Sequence, residues 1–168
     1  KTFNDRPNLL TKREIRIQIL ADLELPKFGT LLDIGSGSGT IGLEALRLRP
    51  KLNLISIDKR FGSKLLVKEN AKKLGVSPKK IIESDVRQFL NNDLDNFFSD
   101  SNRIVIGGCI KETKIEIIKS LSKFLKKGDI IVVPIITYEV LQEISNCLKQ
   151  LNYETSINLI QTFKGLSI

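Results

Sequence analysis

An α/β fold with a doubly wound, mostly parallel sheet is predicted by three features of the chain. Short apolar runs of strand length alternate with helical apolar spacing over residues 31–163, the pattern of successive βαβ units. The first run, Leu31-Leu-Asp-Ile34, passes directly into Gly35-Ser-Gly-Ser-Gly39 and then into the helical spacing Ile41, Leu43, Ala45, Leu46, Leu48. Acidic residues follow the next two runs, Asp58 and Asp85. Right-handed crossovers would bring all these strand ends to one side of the sheet, where open α/β sheets bind ligands.

The elements follow in order. Residues 1–10 read as an irregular arm, because Pro7 excludes a helix interior. Thr11 suits an N-cap, with Glu14 three residues on completing a capping box. Ile15, Ile19, Leu20 and Leu23 continue one helical face until Pro26 and Gly29 end it. The first strand and its glycine turn lead into a helix to about Arg49, closed by Pro50. Residues 52–57 form a second strand and 61–74 a basic amphipathic helix stopped by Gly75. A short third strand over 79–83 precedes a turn at 86–90, and residues 91–101, rich in Asn, Asp and Ser, form a loop. The remaining elements are a strand over 103–107, a helix over 111–126, a strand over 129–136, a helix over 138–151 and a sixth strand over 153–163. No repeat or boundary divides the chain, which reads as a single domain over 1–168.

Composition narrows the chemistry. A length of 168 residues supports a core without staples. There is no histidine, which removes Ser-His-Asp and Cys-His catalysis and all histidine metal sites. Cys109 and Cys147 are far apart, so no metal is expected and a reducing, cytoplasmic setting is the default. No apolar run approaches a membrane span and no signal peptide is visible. The chain begins at Lys1 and contains no Met, as expected of a domain excised from a longer protein. The net charge of +8 points to an acidic partner, nucleic acid or a small polyanion, or simply to a solubilising surface.

Two cofactors fit the glycine turn. Gly37-x-Gly39-x-x-Gly42 formally matches a dinucleotide fingerprint, a weak signal alone. The phase of the acidic residue favours another ligand, because Asp33 stands two residues before the glycines, where a carboxylate repels a pyrophosphate and attracts an ammonium. S-adenosylmethionine has an ammonium, a carboxylate and a sulfonium and no phosphate. Its carboxylate can sit on the amides of Gly35, Ser36, Gly37, Ser38 and Gly39, with its ammonium near Asp33; a bland strand–helix turn is the alternative. Asp58, about twenty residues past the turn, is placed to accept both ribose hydroxyls, a strand-end carboxylate paired with Lys59 or Arg60 being the alternative that this spacing disfavours. Asp85 can accept the adenine amino group, with the Val86 amide donating to the ring, or can equally cap the turn that follows.

With these residues placed, the chain resembles the class I, Rossmann-like S-adenosylmethionine-dependent methyltransferases, and more narrowly the decarboxylating precorrin-6B C15-methyltransferases of cobalamin biosynthesis. That family includes stand-alone enzymes and the C-terminal half of a bifunctional C5,15-methyltransferase. The match is carried by Thr11-Lys-x-Glu14-Ile15-Arg16, by Leu-Leu-Asp33-Ile-Gly-Ser-Gly-Ser-Gly, by Ile106-Gly107-Gly108 and by Ile136-Thr137-Tyr-Glu139. The resemblance implies cofactor contacts at Thr11, Gly35 through Gly39, Asp58 and Val86. It implies a carboxylate-rich tetrapyrrole substrate, a homo-oligomer (a tetramer), and a possible C5-methyltransferase domain upstream. The chain departs from the family at Cys109-Ile-Lys111, where further small residues are usual, at Ser84, where Gly is usual, and at Thr162 and Lys164, where two basic residues are usual; the usual last strand is not present after Ile168.

Methyl transfer from a sulfonium is an in-line displacement, so positioning and water exclusion carry most of the catalysis, which suits a chain without histidine. Arg16, Lys111 and Lys164 are candidates to grip substrate carboxylates, each also explicable as surface charge. The transfer pocket is expected between the Thr11 helix, Gly108-Cys109 and the Thr137–Glu139 turn. Glu139 could orient a pyrrole N–H or the cofactor, or merely favour a first helical turn, and Cys109 reads as a small buried residue rather than a nucleophile. Two rivals stand beside this. An RNA methyltransferase would share the basic balance, but Gly107-Gly108-Cys109 replaces the Asn/Asp-Pro-Pro-Tyr/Phe of base-amine methylation and few aromatics are available for stacking. A non-catalytic cofactor-fold subunit would have no need of the intact turn and Asp58.

Overall fold

The computed structural model describes residues 11–92 and 98–161, with side chains at 91 and 92 excluded. Its centre is a parallel sheet of β1 (Gly29–Ile34), β2 (Leu52–Asp58), β3 (Lys80–Glu83), β4 (Asn102–Ile106) and β5 (Ile130–Val132), in the order β3-β2-β1-β4-β5. In register, Asp33 faces Ser56 of β2 on one side and Val105 of β4 on the other. The chain winds outward from β1 to β3, then returns to start again at β4, so the switch point lies beyond the carboxyl ends of β1 and β4.

Both faces of the sheet are covered, which explains the near-continuous apolar strands. Leu31, Leu54 and Val105 pack under α1 (Arg13–Asp22), α2 (Thr40–Leu48) and α3 (Ser63–Leu74), through Ile19, Leu23, Leu43, Leu46 and Val67. The alternate residues Leu32, Ile34, Ile55, Ile57, Ile104 and Ile106 pack under α4 (Val86–Asn92), α5 (Lys111–Leu121) and α6 (Tyr138–Gln150). Asp33 lies on the α1–α3 side with Leu31, one position out of step with Leu32 and Ile34. Among the described residues, no helix is long and apolar enough to cross a membrane.

Several elements differ from the expectation. The turn at 86–90 is the helix α4, because Val86, Phe89 and Leu90 put an apolar face onto the sheet. β5 stops at Val132, ahead of Pro134, which cannot donate to a ladder. The expected sixth strand is not formed over 153–161, which has no regular structure and leaves Ile157 and Leu159 exposed. Its alternating pattern satisfies one condition for a strand, but pairing needs an edge, and the β5 edge is only three residues long. Asn158 instead donates to Asp22 at the end of α1. Thr11 is not the N-cap of α1 either: Lys12 is, without a side-chain cap bond. The Thr11 carbonyl accepts from Arg16 Nη1 at 2.6 Å.

Candidate active site

The turn after β1 is stitched to its surroundings from within. Gly35, Gly37 and Gly39 all have φ between +58 and +76°, a left-handed region that costs glycine nothing and other residues about 1 kcal/mol or more. A Cβ at Gly35 would stand 2.6 Å from the Gly108 amide nitrogen, so the loops after β1 and β4 touch backbone to backbone. The amides of Gly35 and Ser36 both donate to the Ile57 carbonyl, that of Gly39 to the Ser36 carbonyl, and that of Gly37 to Asp58 Oδ2 at 2.7 Å. These four amides therefore hold the turn to itself and to β2.

Asp33 lies beneath this turn. It is 1% exposed and accepts the N–H of Gly42 in the first turn of α2 at 3.1 Å. An N-cap side chain normally takes such an orphan donor; here the cap is Gly39, so a carboxylate from beneath does so. Burial, with Asp58 nearby, pushes the Asp33 carboxyl up to about 7, and the Gly42 bond offsets part of this. It supports the turn from below.

Asp58 lies at the end of β2, its side chain 4% exposed. Oδ2 accepts from Gly37 N–H at 2.7 Å and Arg60 Nη2 at 2.9 Å, and Oδ1 from Arg60 N–H at 2.9 Å and Arg60 Nε at 3.0 Å. Burial raises its pKa, but these bonds and the guanidinium charge outweigh burial and hold the carboxyl below its ordinary value. The same pattern recurs at the end of β3, where Asp85 accepts from Arg87 N–H, Nε and Nη2 at 3.0, 2.9 and 2.7 Å. Those bonds bring Asp85 down to about 2. Of the two roles open to Asp85, the structure shows the cap of α4, with Arg87 N–H on its Oδ1. The side chain of Val86 is buried in the core, its amide opening α4.

Across the switch point, Gly107-Gly108-Cys109 forms the wall facing Gly35. Behind it stands Lys114, 6% exposed, whose Nζ donates to the carbonyls of Ile106, at 2.7 Å, and Gly107, with Pro134 at 3.5 Å. The ammonium thus ties the end of β4 to the segment after β5, and burial lowers its pKa. Cys109 is half-buried, and burial raises its thiol pKa despite Lys114, as befits a packed small residue rather than an activated nucleophile.

The expected substrate cations are otherwise engaged. Arg16 is 8% exposed and forms a two-pronged pair with Glu44 of α2, both bonds 2.9 Å, which ties α1 to α2. Lys111 pairs with Glu143 of α6 at 2.7 Å. Lys164 and Thr162 lie outside the described residues. Thr137 caps α6 by position without a side-chain bond, and Glu139 stands exposed in its first turn. Arg87, Glu44 and Lys114 were not singled out from sequence, and Arg60 entered only as a possible partner of Asp58, a pair the structure forms. Two signals pointed to them: the repeated Asp-x-Arg after β2 and β3, and a lysine at 114 in the apolar spacing 114, 117, 118, 121.

The residues present fit a ligand of the expected kind. The wall of Gly35, Gly107 and Gly108 carries no side chains, and the Ser36 hydroxyl beside it is shielded without a hydrogen-bond partner among the described residues. Asp58 adds a buried acceptor at the same strand ends. Among the described residues no cluster of ligating side chains could hold a metal ion.

Comparison with known proteins agrees with this geometry. The chain is 32% identical over 158 residues to a protein of Sulfurisphaera tokodaii named "Probable cobalt-precorrin-6B C(15)-methyltransferase (decarboxylating)", covering 94% of this chain and 79% of that one. A protein of the same name from Pyrobaculum aerophilum is also 32% identical, with 93% and 78% covered. The crystal structure of a precorrin-6y C5,15-methyltransferase from Geobacter metallireducens superposes with a TM-score of 0.76 at 27% identity, over 90% of this chain and 78% of that one. Methylases of ribosomal protein L11, from Lactobacillus delbrueckii, and of tRNA, from Aquifex aeolicus, superpose at 0.67 with 20% and 14% identity; these cover 93% and 88% of this chain, 78% and 56% of theirs, and share the fold. The model of the precorrin methyltransferase domain matches residues 2–162, nearly the whole chain, and the protein belongs to that family.

Proposed function

We propose that the protein is an S-adenosylmethionine-dependent C-methyltransferase of cobalamin biosynthesis. It methylates precorrin-6B, or its cobalt form, at C15 and releases the ring-C acetate carboxylate as carbon dioxide. The observation that carries the reading is the family match over residues 2–162 on a chain whose β1–β4 switch point keeps a side-chain-free wall and a buried acceptor, Asp58.

S-adenosylmethionine, when bound, supplies a methyl group on a sulfonium that departs with its electron pair. The chain's own residues bind and orient. Asp58 accepts the ribose hydroxyls, the Ser36 hydroxyl donates to the ligand's carboxylate, and the bare wall at Gly107-Gly108 admits the reacting centre. An electron-rich tetrapyrrole carbon needs no strong side-chain base, consistent with the absence of histidine. Phe61, Ile110, Ile136 and Tyr138 are large, exposed and apolar, and all follow the carboxyl ends of strands. Such a rim gives a flat macrocycle an apolar face and strips water from an acetate carboxylate, favouring loss of carbon dioxide with the bond's electron pair left on the ring. A tetramer is part of the same proposal, and light scattering at micromolar concentration tests it; monomer alone overturns that part.

The deciding assay incubates the protein with methyl-labelled S-adenosylmethionine and either precorrin-6B or bulk tRNA. Label in the tetrapyrrole with stoichiometric carbon dioxide is the expected result. Label in tRNA alone overturns the proposal.

A further inference from the structure

A carboxylate offers about four acceptor positions on its two oxygens. Those of Asp58 are all taken: two by the backbone N–H groups of Gly37 and Arg60, two by the guanidinium of Arg60. The backbone bonds hold the glycine turn and the bend after β2, so losing them would undo the site. A vicinal diol that donates two hydrogen bonds to Asp58 can therefore enter only where the Arg60 side chain leaves. The Arg60 side chain is 38% exposed and has room to move. Its Nη2 lies 3.4 Å from where a Cβ of Gly108 would stand, so the guanidinium already reaches from the end of β2 across to the β4 wall.

We propose that Arg60 is a two-position residue of the reaction: it chelates Asp58 in the absence of ligand and, displaced by the cofactor's diol, turns to hold a carboxylate of the acceptor. The inference rests on the function proposed above and adds a substrate-binding residue to it. Breaking a bidentate guanidinium–carboxylate pair is costly, and an incoming carboxylate restores it with the same geometry. Arg16 is less free to move, being 8% exposed between α1 and α2. One consequence is thermodynamic: the diol ligand and the anionic acceptor each favour the displaced position of Arg60, so each must tighten the other's binding by the same factor.

The test is titration calorimetry of S-adenosylhomocysteine with the full chain, with and without uroporphyrin as a polycarboxylate tetrapyrrole probe. In the wild-type protein the porphyrin should tighten S-adenosylhomocysteine by about fivefold, a coupling at the low end of the usual range. Arg60→Ala should bind S-adenosylhomocysteine at least as tightly as wild type and gain nothing from the porphyrin, and Arg60→Lys should recover part of the coupling. With the authentic acceptor, Arg60→Ala should raise KM about tenfold, the loss of one charge-assisted pair, with kcat within about threefold. Weaker S-adenosylhomocysteine binding by Arg60→Ala, coupling absent from wild type, or coupling unchanged in the variant would each overturn the proposal. Wild-type protein that binds no S-adenosylhomocysteine would instead overturn the cofactor assignment on which it rests.

Discussion

Asp33 and Asp58 are both buried carboxylates on one side of the sheet, yet their charges are set in opposite directions. Asp33 has one backbone donor and no cation, and burial pushes it up to about 7. Asp58 has two backbone donors and a guanidinium, which outweigh burial and hold it below its ordinary value. A folded-state pKa above the unfolded value of about 3.9 means that folding takes up a proton between the two. The stability from protonated Asp33 is complete below about pH 4, declines as pH rises and is gone above about 7, each unit of displacement being worth about 1.4 kcal/mol. Asp33→Asn, which mimics the protonated form, should therefore lose less stability than wild type between pH 5 and 8, as read from urea midpoints. Parallel curves would show that Asp33 does not titrate there. What the sequence made legible at this scale was position: Asp33, Asp58, Asp85 and the glycines all fall at the strand ends. Engagement was legible only as an alternative, the pairing of Asp58 with Lys59 or Arg60, because a neighbouring arginine can as easily point to solvent. Arg60 and Arg87 fold back because their backbone N–H groups bind the same carboxylates, which fixes the bend.

Helices α1 and α5 each place a cation within an apolar stripe, Arg16 with Ile19 and Leu23, Lys114 with Ile117, Ile118 and Leu121. Such a cation must find polar partners, since burying it alone would be prohibitive. Arg16 finds Glu44 and the Thr11 carbonyl, so α1 is pinned to α2 by charge as well as packing. Arg16→Ala should cost about 2–4 kcal/mol, somewhat below the full penalty for breaking a buried pair because Glu44 is partly exposed. A double-mutant cycle with Glu44→Ala should return a coupling of about 1–3 kcal/mol, and additive effects would refute the tie. S-adenosylhomocysteine binding should change little. Lys114 differs, for its carbonyl partners belong to the wall itself. Lys114→Met should cost about 1–3 kcal/mol for carbonyls left unmatched, and should also weaken S-adenosylhomocysteine measurably as the Gly107-Gly108 turn loosens against Gly35. Unchanged affinity with lowered stability would confine Lys114 to a structural role. The apolar spacing of both helices was legible from sequence. The expected capping box is displaced because the N-cap falls at Lys12, whose side chain makes no cap bond. The sixth strand failed for a reason outside its own residues, since a β pattern specifies a face but not a partner.

Over the whole molecule the charge is unequal to what the site alone needs. The formal net charge is +8, with 27 basic against 19 acidic residues. Lys59, Arg60, Arg87 and Lys111 all stand just past strand ends on the side of the switch point. The two reactants of the proposed reaction respond to this field differently. S-adenosylhomocysteine is close to neutral at pH 7, its ammonium offsetting its carboxylate, whereas the tetrapyrrole carries several carboxylates outside the pocket. Long-range attraction falls away as the screening length shrinks from about 30 Å at 0.01 M salt to about 3 Å at 1 M, while contacts between buried partners are screened far less. Raising KCl from 20 to 500 mM should therefore lower kcat/KM for the tetrapyrrole by about tenfold or more, the size expected of electrostatically steered association. The dissociation constant of S-adenosylhomocysteine should move by less than about twofold, because Asp58 and Ser36 are shielded from the added ions. A tetrapyrrole rate indifferent to salt would show that the basic surface serves solubility alone and that recognition rests on the apolar rim of Phe61, Ile110, Ile136 and Tyr138.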